Sequence, residues 1–186
     1  MSISRRQAAR GATMIEVLVT LVIIAFGLLG IVGLQLRLQV SEMESYQRSQ
    51  ALLLLNDMAN RIATNRSSAA AYLTAAANPL GAGMVCPTTT GNVLQRDLNE
   101  WCNALQGAGE VSGSSKVGAM VGGRGCVESV GGDYLITIAW QGLTPISAPP
   151  ASVACGANSY NGTSGSCVND RCRRTVTTLV RIGTLL

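Results

Sequence analysis

The sequence predicts an α+β fold: a long N-terminal helix packed on a small antiparallel β-sheet with disulfide-bonded loops. Three observations lead there. An uncharged apolar run from Val17 to Leu34 passes, with no proline before Pro79, into mostly apolar residues at helical spacing. Two candidate strands flank the turn residues Gly131-Gly132-Asp133. All six cysteines follow Met84, and the chain has no histidine. With 186 residues, one small domain plus an elongated helix is the natural division.

The N-terminal segment comes first. Arg5, Arg6 and Arg10 precede Gly11, and Ala12-Thr13-Met14-Ile15-Glu16 leads into the apolar run. The run is long enough to cross a bilayer, which needs about 20 mostly apolar residues. An ordinary secretory signal is cut after its apolar core, at small residues. Here the candidate glycine stands before the core, so cutting after Gly11 leaves a chain that keeps its membrane helix. The arginines hold the leader on the cytoplasmic side and send the rest outward. Glu16 is the one charge in this helix mouth. A carboxylate within a membrane helix costs roughly 2.5–3.5 kcal/mol at the helix centre and marks a functional position by default. The plain alternative is a glutamate that reaches back to the headgroups.

The helix should continue past Leu34. Leu36, Val40, Met43, Gln47, Ala51, Leu54, Met58 and Ile62 recur in steps of three and four, while Arg37, Glu42, Glu44, Arg48 and Arg61 lie off that stripe. A helix over 12–66 would run roughly 80 Å at about 1.5 Å per residue. Its first half, 12–35, suits lipid or a fibre core, and its second half a groove in a globular head. Gly27, Gly30 and Gly33 permit close helix packing, or supply pliancy, since each destabilises a helix by about 1 kcal/mol relative to alanine.

The alanine-rich Ser67–Ala77 suggests a short extra helix ending at Asn78-Pro79. Asn92-Val93-Leu94-Gln95 resembles a capping box, followed by an amphipathic helix through Leu94, Leu98, Trp101, Cys102 and Leu105 that stops at Gly107. Gly107–Gly125 reads as a loop with one short strand near 117–121. Cys126–Val130 and Tyr134–Gln141 form a hairpin, with Tyr134, Ile136, Ile138 and Trp140 on one face and Leu135, Thr137, Ala139 and Gln141 on the other. The glycine-, asparagine- and serine-rich stretch from Val153 to Asn169 reads as a disulfide-pinned loop, and the last strand spans Arg173–Ile182.

An even cysteine count confined to the exported part fits disulfides among Cys86, Cys102, Cys126, Cys155, Cys167 and Cys172. Zinc is the competing use, but there is no histidine and no Cys-x-x-Cys pair. Six cysteines admit many pairings; we expect Cys86 to bond Cys102 and close a local loop. No cofactor or metal site is expected. Missing histidine removes the commonest acid–base residue, no Gly-x-Ser-x-Gly elbow occurs, and the ten carboxylates are dispersed, so an enzyme is not the expected class. The formal charge is +4. Without the three leader arginines the chain holds eleven basic against ten acidic residues, which gives no reason to expect nucleic acid. Arg171, Arg173 and Arg174 form the only basic cluster, read as a solvated face.

Gly11, two further residues and Met14-Ile15-Glu16-Val17-Leu18 resemble the class III signal of type IV pilins and pseudopilins, a glycine followed by Phe-Thr-Leu-Ile-Glu. Thr13, Ile15 and Glu16 match; Ala12 replaces phenylalanine and Met14 replaces leucine. Val17-Leu18-Val19, Gly27-Leu28-Leu29-Gly30 and Gly33-Leu34-Gln35 look like the minor pilin family called PilV, as do Gly125-Cys126-Val127-Glu128 and the stretch from Tyr134 to Gly142. Minor pseudopilins of type II secretion share the first part.

The resemblance implies a pilin-like fold with a leader over 1–11, a helix over 12–66 and a globular head over 67–186. It implies cleavage between Gly11 and Ala12 by a prepilin peptidase, N-methylation of Ala12, and a role for Glu16 in subunit assembly. The implied partners are other minor pilins, the major pilin, the inner-membrane assembly platform, and the membrane itself before assembly. The implied function is a minor pilin that primes type IV pilus assembly and sits at the tip, supporting twitching motility and adhesion. The alternatives are a type II secretion pseudopilin and a tip adhesin.

Overall fold

The computed structural model describes residues 13–109, 111–113, 115–118, 120–163 and 165–183. Gly11, Ala12 and the expected leader over 1–11 lie outside the described residues. The chain divides into two compact units, Met1–Glu42 and Met43–Leu186. Helix α1 (Met14–Thr64) belongs to both. The expected helix over 12–66 is thus seen from Met14, and it stops at Thr64. Asn65, with φ −102° and ψ 45°, breaks the helical geometry there.

In the first unit every described residue is exposed, so these apolar side chains find no cover among the described residues. Beyond the adjoining backbone of the helix itself, nothing among the described residues lies within 4 Å of the position a Cβ would take at Gly27, Gly30 or Gly33. Contacts within the chain therefore place no demand for glycine at these three positions.

The second unit is built around the C-terminal half of α1. Gln47, Ala51, Leu55, Met58 and Ile62 are buried. Leu55, not Leu54, takes the inner position; Leu54 is only partly buried. Leu36, Val40 and Met43, which extend the same stripe, are exposed, since the head's core begins only at Gln47. In place of the helix expected over Ser67–Ala77 a 3-10 turn spans Arg66–Tyr72, with Ser68 out of helical geometry at φ −112°.

Helix α2 (Val93–Leu105) is capped as its sequence suggests, with Asn92 Oδ1 accepting from Gln95 N–H at 2.8 Å. The reciprocal bond differs from a standard capping box: Gln95 Oε1 accepts from Gly91 N–H at 3.0 Å, one residue earlier than expected. The helix ends before Gly107, whose φ of 83° suits glycine.

The main sheet runs β1 (Leu80–Gly81), β4 (Arg124–Val130), β5 (Asp133–Gln141), β6 (Arg173–Val180), all antiparallel. Between α2 and β4 lies a two-residue hairpin, β2 (Val111–Ser112) with β3 (Ser115–Lys116), whereas the described residues within 117–121 form no strand. β1 was not foreseen, because two residues carry no periodicity. The β4–β5 turn uses Gly131 and Gly132 at φ 62° and 90°, the left-handed pair that a two-residue hairpin requires. Asp133 is already in strand, opposite Val130.

Both faces of β5 are buried. Ile136, Ile138 and Trp140 join the core with Trp101, Met58 and Ile62. Trp101 donates through Nε1 to Leu54 O at 2.9 Å, which anchors α2 to α1. Its ring lies over Gly125, where an added Cβ would collide with Cη2 and Cζ2 of the ring, the latter at 2.7 Å, and stand 2.8 Å from Leu105 Cδ1. Neither partner can yield, because both are fully buried. Gly125→Ala should therefore destabilise the head by about 1–3 kcal/mol, the usual cost of overpacking. Denaturant unfolding followed by tryptophan fluorescence reads this loss, and an unchanged midpoint would show that the core has slack.

Three disulfides pin the loops: Cys86–Cys102, Cys126–Cys155 and Cys167–Cys172. The segment after β5 does more than loop. Cys155 and Gly156 press on Thr137 and Ala139 of the second sheet face. Tyr160 donates to Gly122 O at 2.9 Å while Arg124 stacks 5.0 Å above its ring.

Candidate functional site

Glu16 is the carboxylate that the sequence marks as functional. In the structure it occupies the first turn of α1, at the positive end of the helix dipole, where a carboxylate is favoured. Thr13 precedes the helix and caps it: its carbonyl accepts from Glu16 N–H at 3.1 Å and its Oγ1 lies at 3.3 Å from the same nitrogen. Sequence reasoning passed over this role, although Thr13-Met14-Ile15-Glu16 has the spacing of a capping box. The Glu16 side chain is exposed, with no salt bridge among the described residues. A lone carboxylate at the mouth of an apolar, exposed helix is therefore presented outward, available to another molecule.

Met14–Thr64 contains a segment long and apolar enough to cross a bilayer. Met14, Ile15, Val17, Leu18 and Leu21 form a shallow apolar surface beside Glu16. This surface has no means of burial within its own unit.

In the second unit two polar clusters hold α1. At its C-terminal end Arg61 reaches Asp57 at 2.9 Å, and Asp97 and Glu100 of α2 at 2.8 Å each. Burial works against the charged Arg61, but hydrogen bonds and charge from Glu100, Asp57 and Asp97 outweigh it and raise its pKa. Tyr72 donates to Asp97 and accepts from Asn65 at 3.0 Å. Burial, reinforced by Asp97, pushes the Tyr72 hydroxyl up to about 12.

Farther along, Glu44 Oε1 accepts from the N–H groups of Leu143 (3.0 Å) and Thr144 (3.3 Å), the Thr144 hydroxyl (3.2 Å) and Arg174 (3.0 Å). This joins α1, the loop after β5 and β6 at one carboxylate. The basic cluster is thus not simply a solvated face. Arg173 is 3 % exposed and bonds Asp170, Val153 O and Cys155 O, and Arg174 is committed to Glu44. Only Arg171 of the three is exposed.

Burial tends to raise the pKa of Glu44, but Arg174 and the two backbone N–H groups outweigh it and leave the value below the ordinary glutamate range. A depressed folded-state pKa contributes stability above the unfolded value and loses it as pH falls through the folded one. Glu44→Gln should cost about 1.5–3 kcal/mol at pH 7, the range for hydrogen bonds to charged groups. It should also flatten the acid limb of the stability curve. Thermal melts of both proteins from pH 7 to pH 3 measure this, and parallel curves would refute it.

No group of His, Cys, Asp and Glu side chains suited to a metal occurs among the described residues. Residues 33–109 match the family model described as type IV pilin Tt1218, and residues 6–32 match the prokaryotic N-terminal methylation motif. The two matches adjoin at Val32 and Gly33 and run through α2, leaving β2–β6 outside. No curated protein and no solved structure matches the chain.

Proposed function

From a type IV pilin that carries a prepilin-type signal, we propose a minor pilin of a type IV pilus, of the PilV kind, that helps to prime assembly and resides at the fibre tip. The observation that carries this reading is the exposed apolar stretch of α1, whose one carboxylate, Glu16, has no partner among the described residues. Such a helix has two places to rest, a lipid bilayer and a bundle of like helices. A subunit that moves from membrane to fibre uses both.

In this reading the peptidase cuts between Gly11 and Ala12 and Ala12 becomes the methylated terminus. The anchored subunit waits in the inner membrane with its head in the periplasm. Extraction by the assembly platform then brings the helix beside those of other minor pilins and the major pilin. The terminal amine of Ala12 on a neighbour is the cation that Glu16 lacks. Disulfides suit the oxidising compartment in which the head folds. The role is structural, and the chain is a substrate of the peptidase.

Mass spectrometry of the protein recovered from membranes tests the first step. The expected N-terminus is methylated Ala12; a terminus beyond Leu34 would return the segment to an ordinary signal peptide and remove the basis of the reading. A deletion strain tests the second. Fewer pili, restored by the full gene, support a pilus role, whereas intact pili with loss of secreted folded enzymes would assign the subunit to a secretion pseudopilus.

A further inference from the structure

The two edges of the main sheet are treated differently by the chain. β1 covers the start of β4, pairing Leu80 with Gly125 and Gly81 with Arg124. One step on, Thr74 closes the same edge: its N–H donates to Val127 O at 2.8 Å and its Oγ1 accepts from Val127 N–H at 2.9 Å. β6 forms the other edge, and it pairs with β5 through eight consecutive residues without a bulge.

Alternation of the ladder fixes which groups of β6 look outward. Val127 turns its backbone away from β5, so its partner Ile136 directs its own toward β6 and bonds Thr178. Val176 and Val180 then also bond β5, and Thr175, Thr177 and Leu179 present N–H and C=O to the outside. The neighbouring bonds agree, for Gly142 donates to Cys172 O and Arg173 donates away from β5 to Asp170 O. No backbone group of a described residue meets Thr175, Thr177 or Leu179 on the outer side.

Natural edges are usually blunted by charge, proline or a bulge. Thr175–Val180 carries none of these. The two flanking charges are engaged elsewhere, Arg174 with Glu44 and Arg181 with Asp133, each at 3.0 Å. We propose that this edge receives an extended, uncharged strand from a neighbouring subunit, extending the sheet across the subunit boundary. The proposal rests on the pilus-subunit reading above. The partner must be uncharged because an added strand would lie beside Val176, Thr178 and Val180 on one face and Thr175, Thr177 and Leu179 on the other. No counter-charge is available there. It must be a strand other than β6, because two β6 edges related by a two-fold axis close on themselves and cannot propagate along a fibre.

Proline separates the two edges of one strand, since it removes a single N–H. In full-length protein made in cells lacking the native copy, Thr177→Pro removes only an outward N–H. It should keep its membrane level, its disulfides and its melting temperature in detergent, while its content in sheared fibres falls several-fold, up to about tenfold, the effect of losing one hydrogen bond. Thr177→Val keeps the N–H and should enter fibres normally. Thr178→Pro removes an inward N–H and should unfold at lower temperature. Thr177→Pro at wild-type level in fibres overturns the proposal, as does Thr177→Pro melting as low as Thr178→Pro. Protection of the Thr177 amide that rises with concentration in the purified protein alone would assign the edge to a second copy and overturn it too. If the wild type itself is missing from fibres, the subunit reading fails and takes this proposal with it.

Discussion

Glu16→Val is expected to leave processing and membrane level intact while abolishing normal piliation. The substitution removes the only charge in the apolar stretch that begins at Met14, so insertion becomes easier, by up to about 2.5–3.5 kcal/mol for a charge at the helix centre. In the proposed processing, leader removal depends on the basic residues and Gly11, which are unchanged. In a fibre the balance reverses. There a carboxylate packed among helices needs a cation, which in the proposed assembly is the neighbour's terminal amine. Removing one partner of a desolvated pair costs roughly 3–5 kcal/mol, mostly through the charge left alone. The Thr13 cap bonds the backbone N–H of Glu16, so valine leaves that bond in place and the helix start intact. Complementation of a deletion strain, scoring processing, membrane level and piliation together, is the measurement. Full piliation with Glu16→Val present in fibres would show that the carboxylate has no part in assembly.

The second large effect concerns the head. Replacing Cys126 and Cys155 by alanine together should lower stability by about 2–5 kcal/mol, the usual result of removing a native bridge from a small exported domain. The bridge spans 29 residues and both cysteines are fully buried. It joins β4 to the segment that covers Thr137 and Ala139, so its loss also loosens the cover of the second sheet face. The Cys167–Cys172 bridge closes only five residues. By loop entropy the two differ, about 3.6 against about 2 kcal/mol. Denaturant unfolding of the oxidised proteins, followed by the fluorescence of buried Trp101 and Trp140, compares them. A smaller loss at Cys126–Cys155 than at Cys167–Cys172 would contradict this ranking.

Much of the long helix was legible because its signals are local. The apolar run, the absence of proline and the recurrence of Gln47, Ala51, Met58 and Ile62 each act through neighbouring turns. The Asn92 cap and the Gly131-Gly132 turn are local in the same way, and both appear near their expected positions. Errors collected where long-range contacts choose. Leu54 and Leu55 are equally apolar and adjacent; the carbonyl that Trp101 selects on α1 belongs to Leu54, while the Leu55 side chain turns inward. Alanine propensity over Ser67–Ala77 yielded to the Tyr72–Asp97 contact and the strand-like bonding of Thr74 with Val127.

The cysteine pairs and the arginine cluster mark the same boundary. Composition indicated oxidised cysteines and the local Cys86–Cys102 pair formed as expected, yet the partner of Cys126 depends on how the segment after β5 folds over Thr137 and Ala139. Arg173 and Arg174 are neighbours in a visibly basic run, but one is buried against Asp170 and the other held by Glu44, 130 residues away. The sequence by itself determined the membrane-competent helix, the lone carboxylate at its mouth and the strand alternation, since period and composition act over a few residues. Only the tertiary structure decided the disulfide partners beyond the local Cys86–Cys102 pair, the fate of the arginines and the open edge of β6, because each depends on groups that the chain brings together from far apart.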